Sequence, residues 1–279
     1  MLIKSRFYFY PFFNPLIYDE INRMGNYFGI NKETKRDFSI VVSLDAHNEN
    51  FNNLPIALYS LLNQSLKPDK IVLWLDEELY DLTTIPYEIS RFIKNGLEIK
   101  FVKEIKSYTK SIYAFKNYKD SIIVTAEDNI FYPKDWLKRL YHSYISMQDC
   151  IHVHLAHKIE LKKDIQNKDK QKNDTNISFN NIMEAAGGIL YPPNCFTKEA
   201  YREDVFSKLA PYSDEIWFWL MAIIHNKKIN VIKNHYRYLP CLNFFELLKN
   251  NNKKHLKEIY DEPIDLLMKY YGQNIINKL

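Results

Sequence analysis

Glycine is scarce, with six residues in 279. None belongs to a G-x-G-x-x-G or G-x-x-x-x-G-K-[ST] run, so the chain lacks the loops with which dinucleotide-binding and P-loop proteins cradle phosphate. No G-x-S-x-G elbow presents a serine nucleophile either. Cysteine is equally sparse: Cys150, Cys195 and Cys241 are odd in number and far apart. They have no paired metal-ligand spacing, and they suit a reducing, cytoplasmic setting. Together these absences remove the common kinases, hydrolases and zinc modules. The longest apolar run, Ile216 to Ile224, is far shorter than the roughly 20 residues needed to span a bilayer. The aromatic start MLIKSRFYFYPFFNPLIY has no small-residue cleavage site and does not read as a signal peptide. Charge of one sign is missing too: 38 basic residues face 34 acidic ones, for a net charge of +4. That balance argues against a nucleic-acid partner and leaves room for weak attraction to anionic phosphate or to a membrane surface.

What the chain does have is core. Hydrophobic residues make up 46% and aromatics 15% of it, which describes a packed globule of one large or two small domains. Residues 1–36 read as an N-terminal extension, aromatic at first, with a helix expected over Tyr18 to Tyr27 and then the polar NKETKRD. An arm packed on the domain is favoured over a membrane-surface anchor, because Tyr and Phe fit either role. From Phe38 the pattern alternates strand and helix. SIVVSL is a first strand followed by the loop DAHNENFNN, and Leu54, Leu58, Leu61 and Leu62 then share a helical face with Pro55 at its start. Further strands are expected at Lys70 to Leu75 and Leu97 to Val102, the latter after a helix from about Tyr87 to Asn95 that stops at Gly96. This alternation implies right-handed βαβ units and a mainly parallel sheet.

The stretch SIIVTAEDNIFYPKDW, Ser121 to Trp136, organises the chain. Ile122, Ile123 and Val124 leave no polar face, so this strand is buried on both sides. Glu127, Asp128 and Asn129 follow at its C-terminal end, where open α/β sheets keep their ligand sites. Their oxygens can hold a hard divalent cation together with phosphate oxygens, or they can simply cap a polar turn. A helix is expected to begin at Pro133. Farther on, Cys150 to Leu155 is a fifth strand with His152 and His154 on one side and His157 after it; a polar strand end is favoured there over zinc. Residues 160–181 are polar and low in complexity and read as a surface loop. Gly187 and Gly188 precede a strand at ILYPP. Ser213 then caps a helix that carries Asp214 and Glu215 in its first turn, INVIK is one more strand, and the tail from Asn243 has helical spacing.

Taken together, IVVSL, SLLNQSLKPDKIVLWL, GLEIKFVKEIKSYTK, DSIIVTAEDNIFYPKDWL, AAGGILYPP and LAPYSDEIWFW resemble a bacterial glycosyltransferase family of the GT-A fold, related to glycosyltransferase family 2. The resemblance runs in order from about Phe38 to Ile232. It implies an α/β, GT-A type fold: a mainly parallel open sheet flanked by helices over 37–242, with the extension 1–36 before it and a helical tail, 243–279, packed on the domain. It implies an enzyme of cell-surface polysaccharide assembly, a hexosyltransferase in the first instance, cytoplasmic or peripheral at the inner face of the membrane. Its donor would be a nucleotide sugar, above all a UDP-sugar, and its acceptor a glycan or glycolipid.

By the same resemblance, Glu127, Asp128 and Asn129 occupy the D-x-D position that holds Mn²⁺ or Mg²⁺ against the donor diphosphate. Glu replaces the family's first Asp and Asn its last, and a neutral Asn oxygen lowers the charge offered to the metal. Ser43 matches the nucleotide-facing end of the first strand and Asp76 the place of the base contact, while Lys110 supplies positive charge near the diphosphate. His154, Leu155, Ala156 and His157 keep both histidines of the family's HR-A-H and lose its Arg. Asp214 and Glu215 match the acidic pair before a Trp; one of them, Glu215 in preference, takes the proton of the acceptor hydroxyl in an inverting transfer. Trp217 and Trp219 are either acceptor-side walls or core. Two other functions share these features: a non-catalytic GT-A domain that binds glycan or nucleotide, and another transferase that uses a nucleotide-activated donor.

Overall fold

The structure, a computed structural model, describes residues 7–9, 28–47, 51–159, 176–233, 235–236, 239–241, 257–272 and 275. The helix expected over Tyr18 to Tyr27 and most of the expected loop, 160–175, lie outside the described residues. An eight-stranded sheet runs through the middle. In chain order, leaving β1 (Phe7–Phe9) aside, its members are β2 (Ile40–Asp45), β3 (Lys70–Asp76), β4 (Leu97–Val102), β5 (Ile122–Thr125), β6 (Ile151–Val153), β8 (Ile177–Ser178), β10 (Ile189–Tyr191) and β11 (Ile229–Val231). Across the sheet they stand in the order β4-β3-β2-β5-β10-β6-β11-β8. Neighbours are parallel except around β10, which opposes both β5 and β6, and at the edge, where β8 opposes β11. Two small ladders lie apart from the sheet: β1 pairs with β12 (Leu239–Cys241), and β7 (Ala156–Lys158) pairs with β9 (Asn181–Met183).

The central strands are apolar on both faces because both faces are covered. Side chains alternate across a pleated strand, so Ile40, Val42 and Leu44 of β2 enter one core layer and Val41 enters the other. Helices α1 (Leu54–Leu62) and, later in the chain, the helix Trp136–Ser146 close the first layer. The second is built around Tyr108, Phe115, Trp217 and Phe218. Trp217 and Trp219 both belong to it: each is buried, and their indole N–H groups donate to the carbonyls of Ala200 and Phe179. Of the two roles open to them, core packing is the one the structure shows.

Several local expectations need correction. The helix expected over Tyr87 to Asn95 is only one turn, α2 (Tyr87–Ser90), followed by a 3-10 turn at Ile93–Asn95 that ends at Gly96 with φ +103°. A side chain at Gly96 would also collide with Ile30, 2.6 Å away, so glycine is required there on two counts. The helix after β5 starts at Trp136, with Asp135 in the capping position and not Pro133, whose carbonyl instead accepts the Trp136 N–H at 2.9 Å. The polar segment is not all loop, because Ile177–Ser178 and Asn181–Met183 are strands. Residues 28–36 are bound to the base of the sheet: Arg36 pairs with Asp69 at 2.6 Å, and Phe28 stacks on Tyr59. At the other terminus the helix Glu262–Tyr271 buries Leu267 in the second core layer.

Candidate active site

The site begins with topology. From β2 the chain crosses over to β3 and β4 on one side and returns to β5 on the other. The C-terminal ends of β2 and β5 therefore flank the crevice at which open α/β sheets bind ligands. Asp45 ends β2, and Glu127, Asp128 and Asn129 follow β5. The turn is held from below: the Glu127 N–H donates to the Tyr132 hydroxyl at 2.9 Å, and the Tyr132 N–H donates to Ser60 Oγ at 3.0 Å. Asp128 is buried and Asn129 partly exposed.

Lys110 enters from α3 (Thr109–Asn117). Its Nζ lies 3.2 Å from Glu127 Oε1 and 3.4 Å from Asp45 Oδ1, with only 6% of the side chain exposed. Burial alone would pull an ammonium down. Here the carboxylates of Asp45, Glu127 and Asp214 outweigh it and hold Lys110 well above its ordinary value, so it stays charged. Ser43 fixes the lysine from beneath: its hydroxyl donates to the Lys110 carbonyl at 2.7 Å and accepts the Trp74 indole N–H at 2.8 Å. Ser43 is fully buried, under the crevice floor. Asp76 stands at the end of β3, where its carboxylate accepts the Glu78 N–H at 3.1 Å and its carbonyl the Tyr80 N–H at 3.0 Å. Its hydrogen bonds are thus local, at the flank of the crevice.

Beside this group lies a second. The helix Asp214–Ile224 is anchored by an apolar body, Ile216 to Ile223 all buried, and presents its first two residues at the crevice. Burial pushes the Asp214 carboxyl up to about 7; Lys110 opposes the rise and Glu215 adds to it. Burial pushes Glu215 up to about 7 as well, opposed by two donors: the Ala185 N–H on Oε1 and the Tyr260 hydroxyl at 2.7 Å on Oε2. Next to Glu215, the β7–β9 ladder brings together His157 and buried Glu184, with His157 Nε2 3.3 Å from Glu184 Oε1. Ala185 sits in a tight turn, Ala185–Gly187, closed by Gly188 at φ +77°. A Cβ on Gly188 would stand 2.3 Å from the Trp136 ring, whose indole N–H is itself bonded to the Gly187 carbonyl at 2.8 Å. The paired glycines therefore serve close packing that holds the Ala185 amide in place.

The structure thus gathers Lys110, Glu127, Asp214 and Glu215 into one region. Asp45, Glu184 and Tyr260 belong there too and were not singled out from the sequence. Asp45 opens the polar loop after the first strand, a signal that the pattern carries. Glu184 and Tyr260 have none, because a register and a tertiary contact place them. The other two histidines are structural. His152 bonds Ser143 and the Met147 carbonyl and is pushed down to about 4 by burial; His154 bonds the Trp136 carbonyl and the Tyr236 N–H and is pushed down to about 3, also by burial.

Oxygen donors at a crevice, among them Asp45 Oδ2, which is buried and has no hydrogen-bond partner among the described residues, have the chemistry of a hard-cation site. Among the described residues, no three His, Cys, Asp or Glu side chains converge as a ligand set. Oxygen donors of this kind can share a divalent ion with phosphate oxygens.

No protein-family model and no curated protein sequence matches the chain. Among solved structures, it superposes on the mannosyltransferase PcManGT from Pyrobaculum calidifontis, in complex with GDP-Man and Mn²⁺, with a TM-score of 0.53 at 11% identity; the match covers 92% of this chain and 76% of that one. The chain has the GT-A fold. Less similar are S. aureus TarS 1–349, at a TM-score of 0.49 and 12% identity over 84% of this chain and 72% of that one, and GalNAc-T7 with UDP, GalNAc and Mn²⁺, at 0.47 and 10% over 94% and 59%. Within the GT-A fold, the β2–β5 crevice and the Asp214 helix are the parts described above. No helix among the described residues is long and apolar enough to cross a membrane.

Proposed function

We propose that the protein is a glycosyltransferase that moves a sugar, a hexose in the first instance, from a nucleoside diphosphate donor to a hydroxyl of a cell-surface glycan or glycolipid, with inversion at the anomeric carbon. The observation that carries this reading is the meeting, at one crevice of a GT-A sheet, of a buried lysine 3.2 Å from Glu127 and 3.4 Å from Asp45 with the acidic pair Asp214 and Glu215 at the start of a helix. A donor diphosphate needs positive charge, and an attacking hydroxyl needs a base whose pKa lies near working pH. In the PcManGT complex the bound pair is GDP-Man and Mn²⁺; a UDP-sugar is our first candidate here.

On this reading Lys110 faces the diphosphate with a fixed positive charge, and Ser43 keeps it in position through the helix backbone. Asp76 contacts the base at the β3 flank. Glu127, Asp128 and Asn129 would hold Mn²⁺ or Mg²⁺, which when bound neutralises charge on the leaving diphosphate. Glu215 is the base, and Asp214 next to it is the alternate. The acceptor oxygen forms its bond to the anomeric carbon on one face as the bond to the diphosphate oxygen breaks on the other. The diphosphate leaves with the electron pair, and the hydroxyl proton passes to Glu215. Working location is the cytoplasm or the inner membrane face.

A panel of sugar nucleotides with and without Mn²⁺, with products identified by mass spectrometry, tests this. The expected product is an intact nucleoside diphosphate together with a glycosylated acceptor. A sugar 1-phosphate with a nucleotidylated acceptor would indicate nucleotidyl transfer instead, and a free nucleoside monophosphate would indicate transfer of the sugar phosphate. Binding without release from any donor would support a non-catalytic GT-A domain, the reading favoured by Asn129 in the third position of the triplet.

A further inference from the structure

The C-terminal segment reaches back into the site. A short π-helical stretch, Lys257–Asp261, precedes the helix Glu262–Tyr271, here α7, with Glu203–Leu209 and Asp214–Ile224 as α5 and α6 and Trp136–Ser146 as α4. From that stretch Tyr260 donates its hydroxyl to Glu215 Oε2 at 2.7 Å and packs its ring edge-on to His157, 5.9 Å between centroids and 87° between planes. The segment is seated by contacts away from the crevice: Leu267 is buried in the core, and the Tyr271 hydroxyl donates to Glu199 Oε1 at 2.7 Å. Tyr260 is thus carried by a well-anchored element, and nothing in the local sequence calls for a tyrosine there.

A base must present one lone pair to its substrate in a fixed direction. The Ala185 N–H restrains Oε1 of Glu215, and a carboxylate with one oxygen held can still rotate about its axis. The second donor on Oε2 removes that freedom. We propose that Tyr260 is a positioning residue that fixes Glu215 for proton transfer, so that the C-terminal segment completes the acceptor side of the active site. This rests on the glycosyltransferase reading above. The groups facing Glu215 are Ala185 and Glu184 from the β9 turn, Glu127 from the β5 turn, Tyr191 from β10, Asp214 on its own helix and Tyr260 from the tail, with His157 behind Glu184 and Tyr260. Of these, the amide and the hydroxyl favour the ionised carboxylate, and the acidic neighbours oppose it.

Tyr260→Phe keeps the ring and removes the donor. Two readings are taken on it: the pH profile of kcat, and the titration of Glu215 followed by the carboxyl ¹³C signal in labelled protein. The proposal expects kcat to fall about tenfold, donor KM to stay, and both the acidic limb of the profile and the ¹³C midpoint to move up together, by about one pH unit. Tyr271→Phe, which loosens the same helix without touching Glu215, is expected to leave both unchanged. An unmoved midpoint and an unchanged kcat in Tyr260→Phe overturn the proposal while the glycosyltransferase reading stands. Equal effects from Tyr271→Phe also overturn it, since tail docking alone would then explain them. Wild-type protein inert toward every sugar nucleotide would sink the glycosyltransferase reading, and with it the proton-transfer role, while the ¹³C midpoint still reports whether the hydroxyl holds the carboxylate.

Discussion

Asp214 and Glu215 are adjacent in sequence, both pushed up to about 7 by burial, and yet they face different neighbours. Asp214 shares the field of the Lys110 ammonium with Asp45 and Glu127. Glu215 is held by neutral donors, the Ala185 amide and the Tyr260 hydroxyl. The first turn of one helix thus sets Asp214 beside a buried ammonium that Asp45 and Glu127 also share, and Glu215 beside two neutral donors with Glu184 and Glu127 near it. An ammonium is the group that can meet phosphate oxygens. Neutral donors suit a carboxylate that must gain and lose a proton, because they orient it without locking it in the ionised form.

The largest effect expected from breaking this division is on turnover. Glu215→Gln keeps the shape and cannot take a proton, so kcat should drop by about 10³-fold with donor affinity unchanged. Near-normal turnover in this variant, with loss in Asp214→Asn, would exchange the two roles. Next in size is Lys110→Met, which leaves Asp45 and Glu127 facing one another without their cation. A cost of about 3 kcal/mol is expected in urea unfolding at pH 7.5. Lys110→Arg, which keeps the cation, should recover part of it. An equal deficit in Lys110→Arg and Lys110→Met would mean that lost packing, and not charge, is responsible.

Stability and activity should move in opposite directions with pH. The folded chain keeps protons on Asp214 and Glu215 to about 7, whereas the unfolded chain releases them near 3.8 and 4.5. Where the folded state binds more protons, raising pH costs stability. The contribution of this pair is therefore full at low pH and is lost as pH rises from about 4 to 7, while activity rises over the last part of that window. Thermal melts check the sign: Glu215→Gln should gain on wild type as pH rises from 5 to 8. A constant difference would mean that Glu215 ionises normally in the fold. The smallest effect expected is from Asn129→Asp, which adds one carboxylate to the triplet and should tighten Mn²⁺ severalfold in UDP-saturated protein, as read by calorimetric titration. Unchanged affinity would turn Asn129 away from the cation.

The parallel half of the sheet was legible in the chain because its elements are set locally. β2, β3 and β5 are apolar runs and β4 an alternating one, bounded by Pro55, Gly96 and polar turns, and the expected strand Leu97 to Val102 agrees with the observed one to the residue. The antiparallel strand β10 was legible as a strand but not in its direction, which depends on where it inserts between β5 and β6. The helix at Tyr87 failed because one turn followed by a 3-10 turn leaves almost the same apolar spacing as a regular helix. In the site, Lys110 and Glu127 could be named from a resemblance, but their 3.2 Å pairing could not. Asp45 was visible only as the first residue of a polar loop, and Glu184 and Tyr260 meet Glu215 through contacts that span the chain.

The division between the two carboxyl groups is tested most directly by the thermal shift that UDP and Mn²⁺ together produce in wild type, Lys110→Met and Glu215→Gln, each measured against its own ligand-free melt. A ligand bound by the folded state alone raises apparent stability by mass action. The account predicts a clear shift in wild type, the same shift in Glu215→Gln, and a shift largely lost in Lys110→Met. Loss of the shift in Glu215→Gln with retention in Lys110→Met would place the nucleotide on the wrong side of the helix start and contradict the account.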